Sequence, residues 1–215
     1  IPQKDGTVRY IRLRVASENR TQVGLLEDVT SSTEERLRIE HERDYDMLTG
    51  LYNRKAFNRI CEDMFRAPAR LGHAALMMLD LDNLKKLNDV YGHDIGDRYI
   101  RETGHALRDG MTDHSVCSRL SGDEFMVLFY GYDSRAQLRR DMNNLQSRLR
   151  HASIVLPNGD SFAISISGGV AWYPEDGNDM ASLKKYADFA MYQVKRSHKG
   201  GMQEFDIGVY NEAAY

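Results

Sequence analysis

The chain has 215 residues, of which 41% are hydrophobic and 28% charged, and its formal net charge is −3. This length fits one full domain plus a smaller piece, and the composition is that of an ordinary globular protein. A nearly balanced charge without a Lys/Arg-rich tract lacks the electrostatic footprint of proteins that hold long nucleic acid. The most apolar stretch, residues 74–79, is too short to span a membrane. We therefore expect neither a nucleic-acid partner nor membrane contact by this fragment.

The two cysteines, Cys61 and Cys117, have neither metal-ligand spacing nor the density of a disulfide scaffold, which favours a reducing, cytoplasmic compartment. The chain opens at Ile1 rather than Met and shows no signal-peptide layout. We therefore expect an excised piece of a longer protein, whose remainder can carry a membrane anchor.

Two β-prone runs, at about residues 8–15 and 21–29, flank a polar stretch at 16–20 and predict a β-hairpin. A lone two-stranded ribbon cannot bury a core by itself. The run from Gly24 to Thr30 is similar to the last strand of PAS sensor domains, so we assign residues 1–30 to the C-terminal strands of a PAS-like domain.

Ser32 followed by Glu35 is a capping-box pattern, and the Glu- and Arg-rich run that follows predicts a solvated helix from about Ser32 to Tyr45. Residues 31–46 are thus a candidate signalling helix. Because its apolar stripe is thin, a plain charged connector is the competing interpretation.

From residue 47 to 205 the hydrophobic pattern alternates between strand and helix periods. The predicted helices cover about residues 54–65, residues after Gly96, 135–150 and 180–196, and the predicted strands cover about residues 74–81, 115–130 and 161–172. Two strands meet through a turn at 120–123, whereas helices separate the others. We predict an α/β fold with a central mixed sheet of five or more strands flanked by helices, followed by an extension or linker at 206–215.

Carboxylates lie at two predicted strand ends. Asp80 ends an apolar strand, where an unpaired charge is costly, and Asp123 and Glu124 follow the Ser121–Gly122 turn. Mg²⁺ binds through a few carboxylates plus substrate phosphates, so these three acids are candidate holders of nucleotide-bound magnesium. A strand-end cap for Asp80 and an ordinary Gly turn followed by acids are the competing interpretations.

Basic side chains are also available for a phosphate. Lys85 follows the first acid, and Lys195 and Lys199 are spaced i, i+4 at the end of the last predicted helix, where they would share a face. The competing interpretation is that these two lysines only complement the helix dipole.

Six sequence blocks occur in the order and at the spacing of a known family. They are DMLTGLYNR from Asp46, DLDNLKKLND from Asp80, YGHDIGD from Tyr91, SGDEF from Ser121, SISGGV from Ser165 and ADFAMY from Ala187. Over roughly residues 46–205 the chain therefore resembles GGDEF domains, the diguanylate cyclase family.

The resemblance implies a palm-like α/β fold akin to nucleotidyl cyclases and a homodimer in which each domain binds one GTP. It implies a Mg²⁺-dependent reaction, with Mn²⁺ as a substitute, in which the 3′-hydroxyl of one GTP attacks the α-phosphate of the other and pyrophosphate leaves. Two such steps give cyclic di-GMP.

The resemblance also assigns residues by position. The implied metal ligands are Asp80, the Leu81 carbonyl, Asp123 and Glu124; the implied catalytic residues are Glu124, Asp123 and Lys85; and the implied substrate-binding residues are Asn88, His93, Asp97, Ser121, Gly122, Lys195 and Lys199. Glu124 is either a further ligand or the group that helps to deprotonate the 3′-hydroxyl. Amide and carboxylate groups at Asn88 and Asp97 can satisfy the donors and acceptor of guanine, which adenine would leave unpaired.

The sequence departs from the family at several positions. Ser121 stands where Gly is usual, and we expect the small side chain to be tolerated. Leu84 replaces Phe, and Lys199 replaces Arg, which trades a bidentate fork for a point charge. Thr112 and Ser115 occupy the two positions of the inhibitory Arg-x-x-Asp product site, so product feedback through that site should be absent.

The sequence leaves three functions open. The first is an active cyclase that serves as the output module of a bacterial signalling protein, and the second is a non-catalytic GTP-binding regulator of a downstream module. The third is a pure dimerisation or docking domain. Carboxylates kept around a cleft argue against the third, because they are costly without a ligand.

Overall fold

An antiparallel hairpin opens the described part of the chain. In this computed structural model, which describes residues 1–2, 8–18 and 21–213, strand β1 (Ile11–Glu18) pairs with β2 (Thr21–Asp28). The predicted hairpin is confirmed, although its first strand starts and ends later than the sequence pattern indicated. Residues 19–20 of the expected connection lie outside the described residues.

Helix α1 (Thr30–Asp44) follows, which confirms the predicted helix, but the Ser32–Glu35 capping box expected at its start is wrong. The helix begins two residues earlier, where Asp28 Oδ1 accepts hydrogen bonds from the Thr30 N–H at 3.0 Å and the Thr30 hydroxyl at 2.6 Å. Ser32 and Glu35 lie inside the helix and bond other partners. Asp28 thus accepts from the first N–H of the helix, and Ser32 and Glu35 lie too far along α1 to cap its start.

The chain divides into two compact units, residues 1–44 and 45–215, and the second contains the α/β domain. Its helices are α2 (Arg54–Phe65), α3 (Leu84–Tyr91), α4 (His93–Asp109), α5 (Arg135–His151), α6 (Met180–Ser197) and α7 (Ile207–Ala213). Its strands are β3 (Tyr52–Asn53), β4 (His73–Leu81), β5 (Ser115–Ser121), β6 (Glu124–Tyr132), β7 (Ser153–Val155), β8 (Ser161–Ala163), β9 (Ile166–Tyr173) and β10 (Met202–Glu204).

The described residues of this unit build a central six-stranded mixed sheet in the order β10-β9-β4-β6-β5-β3. Strand β4 pairs antiparallel with both β6 and β9, whereas the outermost pairs, β10 with β9 and β3 with β5, are parallel. A separate β7-β8 ribbon lies outside this sheet. The predicted mixed sheet of five or more strands is confirmed.

Helices cover both faces of the sheet. The side chains of β4 show this, because they alternate between two hydrophobic clusters. Ala75, Met77 and Leu79 join one cluster with residues of α4 and α5, whereas Leu76 joins a second cluster with residues of α2 and α6. This explains why β4 is apolar from Ala74 to Leu79: a strand that is buried on both faces has no solvent side for polar residues.

Several elements differ from the sequence expectation. Helix α3 was not predicted, and α4 begins at His93 rather than after Gly96. Gly92, at a φ of 84°, separates the two helices. The single strand expected over residues 161–172 is divided into β8 and β9. Strands β3, β7 and β10 and helix α7 were not predicted either.

The C-terminal helix α7 lies against α6 through aromatic rings. Tyr210 of α7 contacts Tyr186 and Phe189 of α6, with ring centroids 5.4 and 4.9 Å apart, and Phe205 stacks on Tyr186 at 4.2 Å.

Of the helices described, none is both long and apolar enough to cross a membrane.

The single tryptophan, Trp172 on β9, is buried at the corner where α5 covers the sheet. The guanidinium carbons of Arg135 and Arg139 lie 4.1 and 5.0 Å from its ring centroid, in cation–π geometry. Its Nε1–H donates a 3.1 Å hydrogen bond to Glu204 of β10. This corner therefore ties α5 and β10 to the body of the sheet.

Adding one methyl group at Gly169 should destabilise the domain far more than adding one at Gly168. A Cβ at Gly169 would collide with backbone atoms of Ala187 and Met191 on α6, whereas a Cβ at Gly168 would meet the flexible ends of Met202 and Leu79. Because helix backbone cannot yield as a side chain can, we expect Gly169→Ala to lower the free energy of unfolding by about 2 kcal/mol. Urea denaturation of both variants measures this, and equal midpoints would contradict the close approach of α6 to β9.

Candidate active site

A cleft of 460 Å³ opens at the C-terminal end of β4. It lies between the start of α3, the β5–β6 turn and the last turns of α6. Its lining is dominated by carboxylates and lysines and consists of Asp80, Leu81, Asp82, Asn83, Leu84, Lys85, Lys86, Asp89, Asp123, Lys195 and Lys199. The structure thus brings together six residues that the sequence assigned to the site: Asp80, Leu81, Lys85, Asp123, Lys195 and Lys199.

Asp80 is the nearly buried acid of this cleft, with only 10% of its side chain exposed. Lys195 of α6 forms an ion pair with it at 2.6 Å. Burial raises the pKa of Asp80, the hydrogen bond and charge of Lys195 lower it, and the neighbouring carboxylates Asp123 and Asp82 raise it again, with a net rise. A carboxylate in this position favours a cation, because each of its acidic neighbours adds repulsion.

Asp82 is a second buried acid, but it points into the protein. Its carboxylate accepts hydrogen bonds from the hydroxyls of Ser165 and Ser167, each at 2.9 Å, and its backbone N–H donates to the Ser165 carbonyl at 2.9 Å. These bonds join the segment after β4 to the start of β9. Asp82 therefore supports the floor of the cleft.

The β5–β6 turn carries Gly122 and Asp123 to the rim of the cleft. Gly122 has a φ of 43°, and Arg119 holds its carbonyl through two hydrogen bonds of 3.0 and 2.9 Å. The same guanidinium also donates to the Asp46 carboxylate at 3.2 Å. The Leu81 N–H donates to the Asp123 carbonyl at 2.9 Å, so the turn is fixed to the end of β4.

Glu124 lies directly opposite Asp80 on the neighbouring strand, so both side chains project from one face of the sheet. Its Oε2 accepts a 2.8 Å hydrogen bond from the Ser121 hydroxyl, and the Nη2 of Arg54 lies 3.9 Å from the same oxygen. Glu124 is therefore adjacent to the cleft but does not line it, because other donors hold its carboxylate.

Asn88 and Asp97 are brought near each other by the packing of α3 on α4. A Cβ at Gly96 would collide with Asn88 Oδ1, so α4 approaches the amide closely only because residue 96 is glycine. Among the described residues, the buried Oδ1 of Asn88 has no hydrogen-bond partner. Asp97 and His93 are exposed on α4 and do not line the cleft described above.

A buried amide oxygen without a donor is costly, and a ligand donor is one way to satisfy it. The exposed Asp97 carboxylate next to Gly96 can accept further donors. The pair can therefore recognise a group that presents adjacent N–H donors.

The three lysines predicted to meet phosphates surround the cleft from two sides. Lys85 enters from α3 and Lys195 from the last turn of α6. The predicted shared helical face of Lys195 and Lys199 is wrong, because α6 ends at Ser197 and an extended His198 separates Lys199 from the helix. Lys195 is one-third exposed and paired with Asp80, whereas Lys85 and Lys199 are exposed. The cleft thus offers ammonium groups to an anion next to carboxylates that favour a cation.

The donor chemistry of the cleft fits a hard divalent cation. Asp80 and Asp123 offer carboxylate oxygens, Leu81 a carbonyl, and Glu124 a carboxylate within the same strand register. Across the described ranges, no group of three or more His, Cys, Asp or Glu side chains is already gathered as a metal cluster. A bound cation would therefore replace Lys195 as the partner of Asp80. It would reach Glu124 only if that carboxylate left Ser121 and Arg54.

Comparison with known proteins agrees with this geometry. Residues 43–201 match the family described as diguanylate cyclase, GGDEF domain. The chain belongs to the GGDEF family.

Solved structures of GGDEF domains share the fold of this GGDEF domain. The isolated GGDEF domain of TpbB from Pseudomonas aeruginosa is similar to it with a TM-score of 0.69 at 30% identity, covering 80% of this chain and 99% of that one. The GGDEF domain of DgcB from Caulobacter crescentus, solved in complex with cyclic di-GMP, gives a TM-score of 0.63 at 25% identity, covering 75% and 93%. The predicted GGDEF fold is confirmed.

The curated relatives include proteins named as diguanylate cyclases and proteins named as cyclic di-GMP phosphodiesterases. Diguanylate cyclase TpbB of P. aeruginosa is 32% identical over 168 residues, which cover 78% of this chain and 38% of the relative. Diguanylate cyclase DgcS of Shewanella oneidensis is 35% identical over 154 residues, covering 71% and 50%. The cyclic di-GMP phosphodiesterase NbdA of P. aeruginosa is 35% identical over 166 residues, covering 75% and 20%. The chain thus spans half or less of the length of these relatives.

Sequence reasoning did not single out some residues that shape the GGDEF site. Arg54 and Arg119 donate hydrogen bonds to residues at the β5–β6 turn, and Asp188 interacts electrostatically with Glu124 beside it. Partial burial raises the pKa of Asp188, and the charge of Glu124 raises it further. Arg54 and Asp188 belong to two of the family blocks quoted from the sequence, which was the available signal. Arg119 has no such signal beyond its place two residues before the SGDEF block.

The departure at the product-site positions also has a structural form in this GGDEF domain. Thr112 and Ser115 bond each other: the Thr112 N–H donates to Ser115 Oγ at 2.8 Å, and that hydroxyl donates to the Thr112 carbonyl at 2.9 Å. The two residues thus close a turn before β5 and use their polar groups on each other. Neither side chain carries a charge that could bind a nucleotide.

Proposed function

We propose that this GGDEF domain is a diguanylate cyclase that condenses two GTP molecules into cyclic di-GMP and releases pyrophosphate. The observation that carries the proposal is the cleft, where a nearly buried Asp80 lies among lysines and beside Asp123 of the β5–β6 turn. Family membership supports it, since TpbB and DgcS are named diguanylate cyclases.

The residues of the cleft have distinct roles in this proposal. Asp80, the Leu81 carbonyl, Asp123 and Glu124 would hold Mg²⁺, or Mn²⁺ in its place. The bound cation would neutralise charge on the attacking and leaving oxygens of an in-line displacement. Glu124 is also the base candidate for the 3′-hydroxyl proton, because it is paired with Asp80 at the same end of two neighbouring strands.

The lysines and the α3–α4 pair would position the nucleotide. Lys85, Lys195 and Lys199 would bind phosphate oxygens, which requires Lys195 to leave Asp80 as the cation arrives. Asn88 Oδ1 and the Asp97 carboxylate would accept the N–H groups of the guanine edge, with His93 close by on α4. Gly122 and Ser121 would bring the turn backbone near the phosphates.

The wider organisation belongs to the same proposal. Residues 1–30 are the end of a PAS-like sensor domain, residues 31–46 are a signalling helix, and the protein works in the cytoplasm as an output module of bacterial signalling. Because each domain supplies one GTP, two copies of the chain must meet face to face for catalysis.

The proposal is tested by incubating the purified protein with GTP and Mg²⁺ and measuring cyclic di-GMP by liquid chromatography. We expect product and pyrophosphate with GTP and none with ATP. The second candidate, a GTP-binding regulator, is favoured by the contacts that hold Glu124 away from the cleft and would show GTP binding without product. A pure dimerisation domain would show neither.

Specific activity should rise with protein concentration. The Glu- and Arg-rich α1 has a sparse apolar stripe, so we expect the chain to be mostly monomeric at micromolar concentration. Fusing a parallel coiled coil ahead of Ser32 should raise the activity at low concentration, because it supplies the proximity of two domains. Initial rates over a dilution series measure this, and a specific activity independent of concentration would contradict the assembly argument.

A further inference from the structure

The Ser121 hydroxyl makes a contact that a glycine in the same position could not make. Ser121 and Glu124 are paired across the β5–β6 turn, just after an irregularity in the strand register. The hydroxyl donates a 2.8 Å hydrogen bond to Glu124 Oε2. A donor of this kind stabilises the carboxylate in its present position, since hydrogen bonds to charged acceptors are the stronger ones.

Arg54, the first residue of α2, reinforces the same contact. Its Nη2 donates to Ser121 Oγ at 3.4 Å and lies 3.9 Å from Glu124 Oε2. The hydroxyl and the guanidinium therefore both lie beside Oε2 of Glu124. Because the guanidinium is 58% exposed, its charge adds less than the short hydroxyl bond.

Two facing carboxylates are thus held from opposite sides. Asp80 is bound by Lys195 of α6, and Glu124, its cross-strand neighbour, is bound by Ser121 and Arg54. Two like charges that face each other across a strand pair repel, and separate partners relieve this repulsion.

We propose that Ser121, assisted by Arg54, is a positioning residue that holds Glu124 away from the divalent-cation site of the resting protein. The proposal rests on the cyclase function proposed above and assigns to Ser121 a role separate from nucleotide contact. Cation loading then requires Glu124 to exchange the hydroxyl for the metal, so the serine weakens cation binding relative to a residue without a hydroxyl.

Substitutions at residue 121 separate the hydroxyl from the Cβ. Ser121→Ala removes only the hydroxyl, Ser121→Gly removes the Cβ as well, and Ser121→Thr keeps the donor. We expect the Ala and Gly variants to bind Mn²⁺ about fivefold more tightly than the unchanged protein, as expected for loss of one exposed charge-assisted hydrogen bond. The Thr variant should bind like the unchanged protein.

The measurement is a titration of the purified protein with Mn²⁺, with free Mn²⁺ followed by electron paramagnetic resonance. It is repeated with the Mn²⁺ complex of a non-hydrolysable GTP analogue. In a Glu124→Ala background the difference between Ser and Ala at residue 121 should vanish. Arg54→Gln should tighten Mn²⁺ binding more than Arg66→Gln, a matched loss of charge at the other end of α2.

Equal or weaker Mn²⁺ binding by Ser121→Ala would overturn the proposal, as would the absence of Mn²⁺ binding by every variant. An effect of Gly without an effect of Ala would show that the Cβ matters and the hydroxyl does not, which also overturns it. The cyclase function fails separately: tighter Mn²⁺ binding by Ser121→Ala without cyclic di-GMP would reject the cyclase and keep the positioning role. Cyclic di-GMP formation together with equal Mn²⁺ affinities of Ser121→Ala and the unchanged protein would keep the cyclase and reject the positioning role.

Discussion

Asp80→Asn should reduce the rate of cyclic di-GMP formation by about a thousandfold, because the acid at the centre of the cleft is the principal charge available to a divalent cation. The variant should remain folded. Burial raises the pKa of Asp80, which means that the fold disfavours its ionised form, so the loss of that charge removes a cost as well as the Lys195 contact. Lys195 is one-third exposed and can turn to water.

Three measurements on Asp80→Asn check this expectation: the rate of product formation, the affinity for the Mn²⁺ complex of a GTP analogue, and the thermal midpoint. We expect the first two to fall and the third to stay the same or rise slightly. Asp63→Asn is a matched control, because Asp63 is an exposed acid on α2 that pairs with Arg66. Full turnover by Asp80→Asn would remove Asp80 from the mechanism.

Asn88→Ala should weaken GTP binding by about a hundredfold while leaving ATP binding unchanged, because the amide would no longer accept from the guanine edge. Its stability should move the other way. Since the buried Oδ1 has no partner among the described residues, removing the amide eliminates an unsatisfied acceptor. A lower affinity together with an unchanged or higher thermal midpoint is the expected signature of a ligand-binding amide.

Calorimetric titrations with GTP and ATP measure the affinities of the Asn88→Ala protein. Asn144→Ala, which removes an exposed amide on α5, serves as the control and should change neither affinity. Asp97→Ala should also lose discrimination between the two bases. Equal binding of GTP and ATP by the unchanged protein would contradict the assignment of both residues.

Long periodic elements of this domain could be predicted from the sequence, whereas short ones could not. Helix α2 was predicted with its observed bounds, because Asn53 caps it and its apolar residues recur at helical spacing. Helix α3 has only eight residues and starts after Asn83, which has a left-handed backbone and makes no side-chain cap bond. Strand β10 has three residues, too few for an alternating pattern, and forms only because β9 is beside it.

The candidate site divides in the same way. Asp80 and Asp123 could be predicted because Asp80 comes at the end of an apolar strand and Asp123 follows a glycine turn, and both line the cleft. The partners of these acids could not be predicted. Arg54 and Ser121 are 67 residues apart in the chain, and no local pattern indicates that α2 places a guanidinium over the β5–β6 turn. The state of Glu124 therefore had to come from the structure.

Trp172, with two arginines stacked on its ring, gives the domain an intrinsic fluorescent probe. The indole is the single tryptophan of the chain, lies on β9 under α5, and is joined to β10 by its hydrogen bond to Glu204. Its emission therefore senses the outer edge of the sheet, while the cleft is lined by other residues. Fluorescence of the unaltered protein can thus follow detachment of α5 and β10 during denaturation, and nucleotide added to the folded protein should change the emission little.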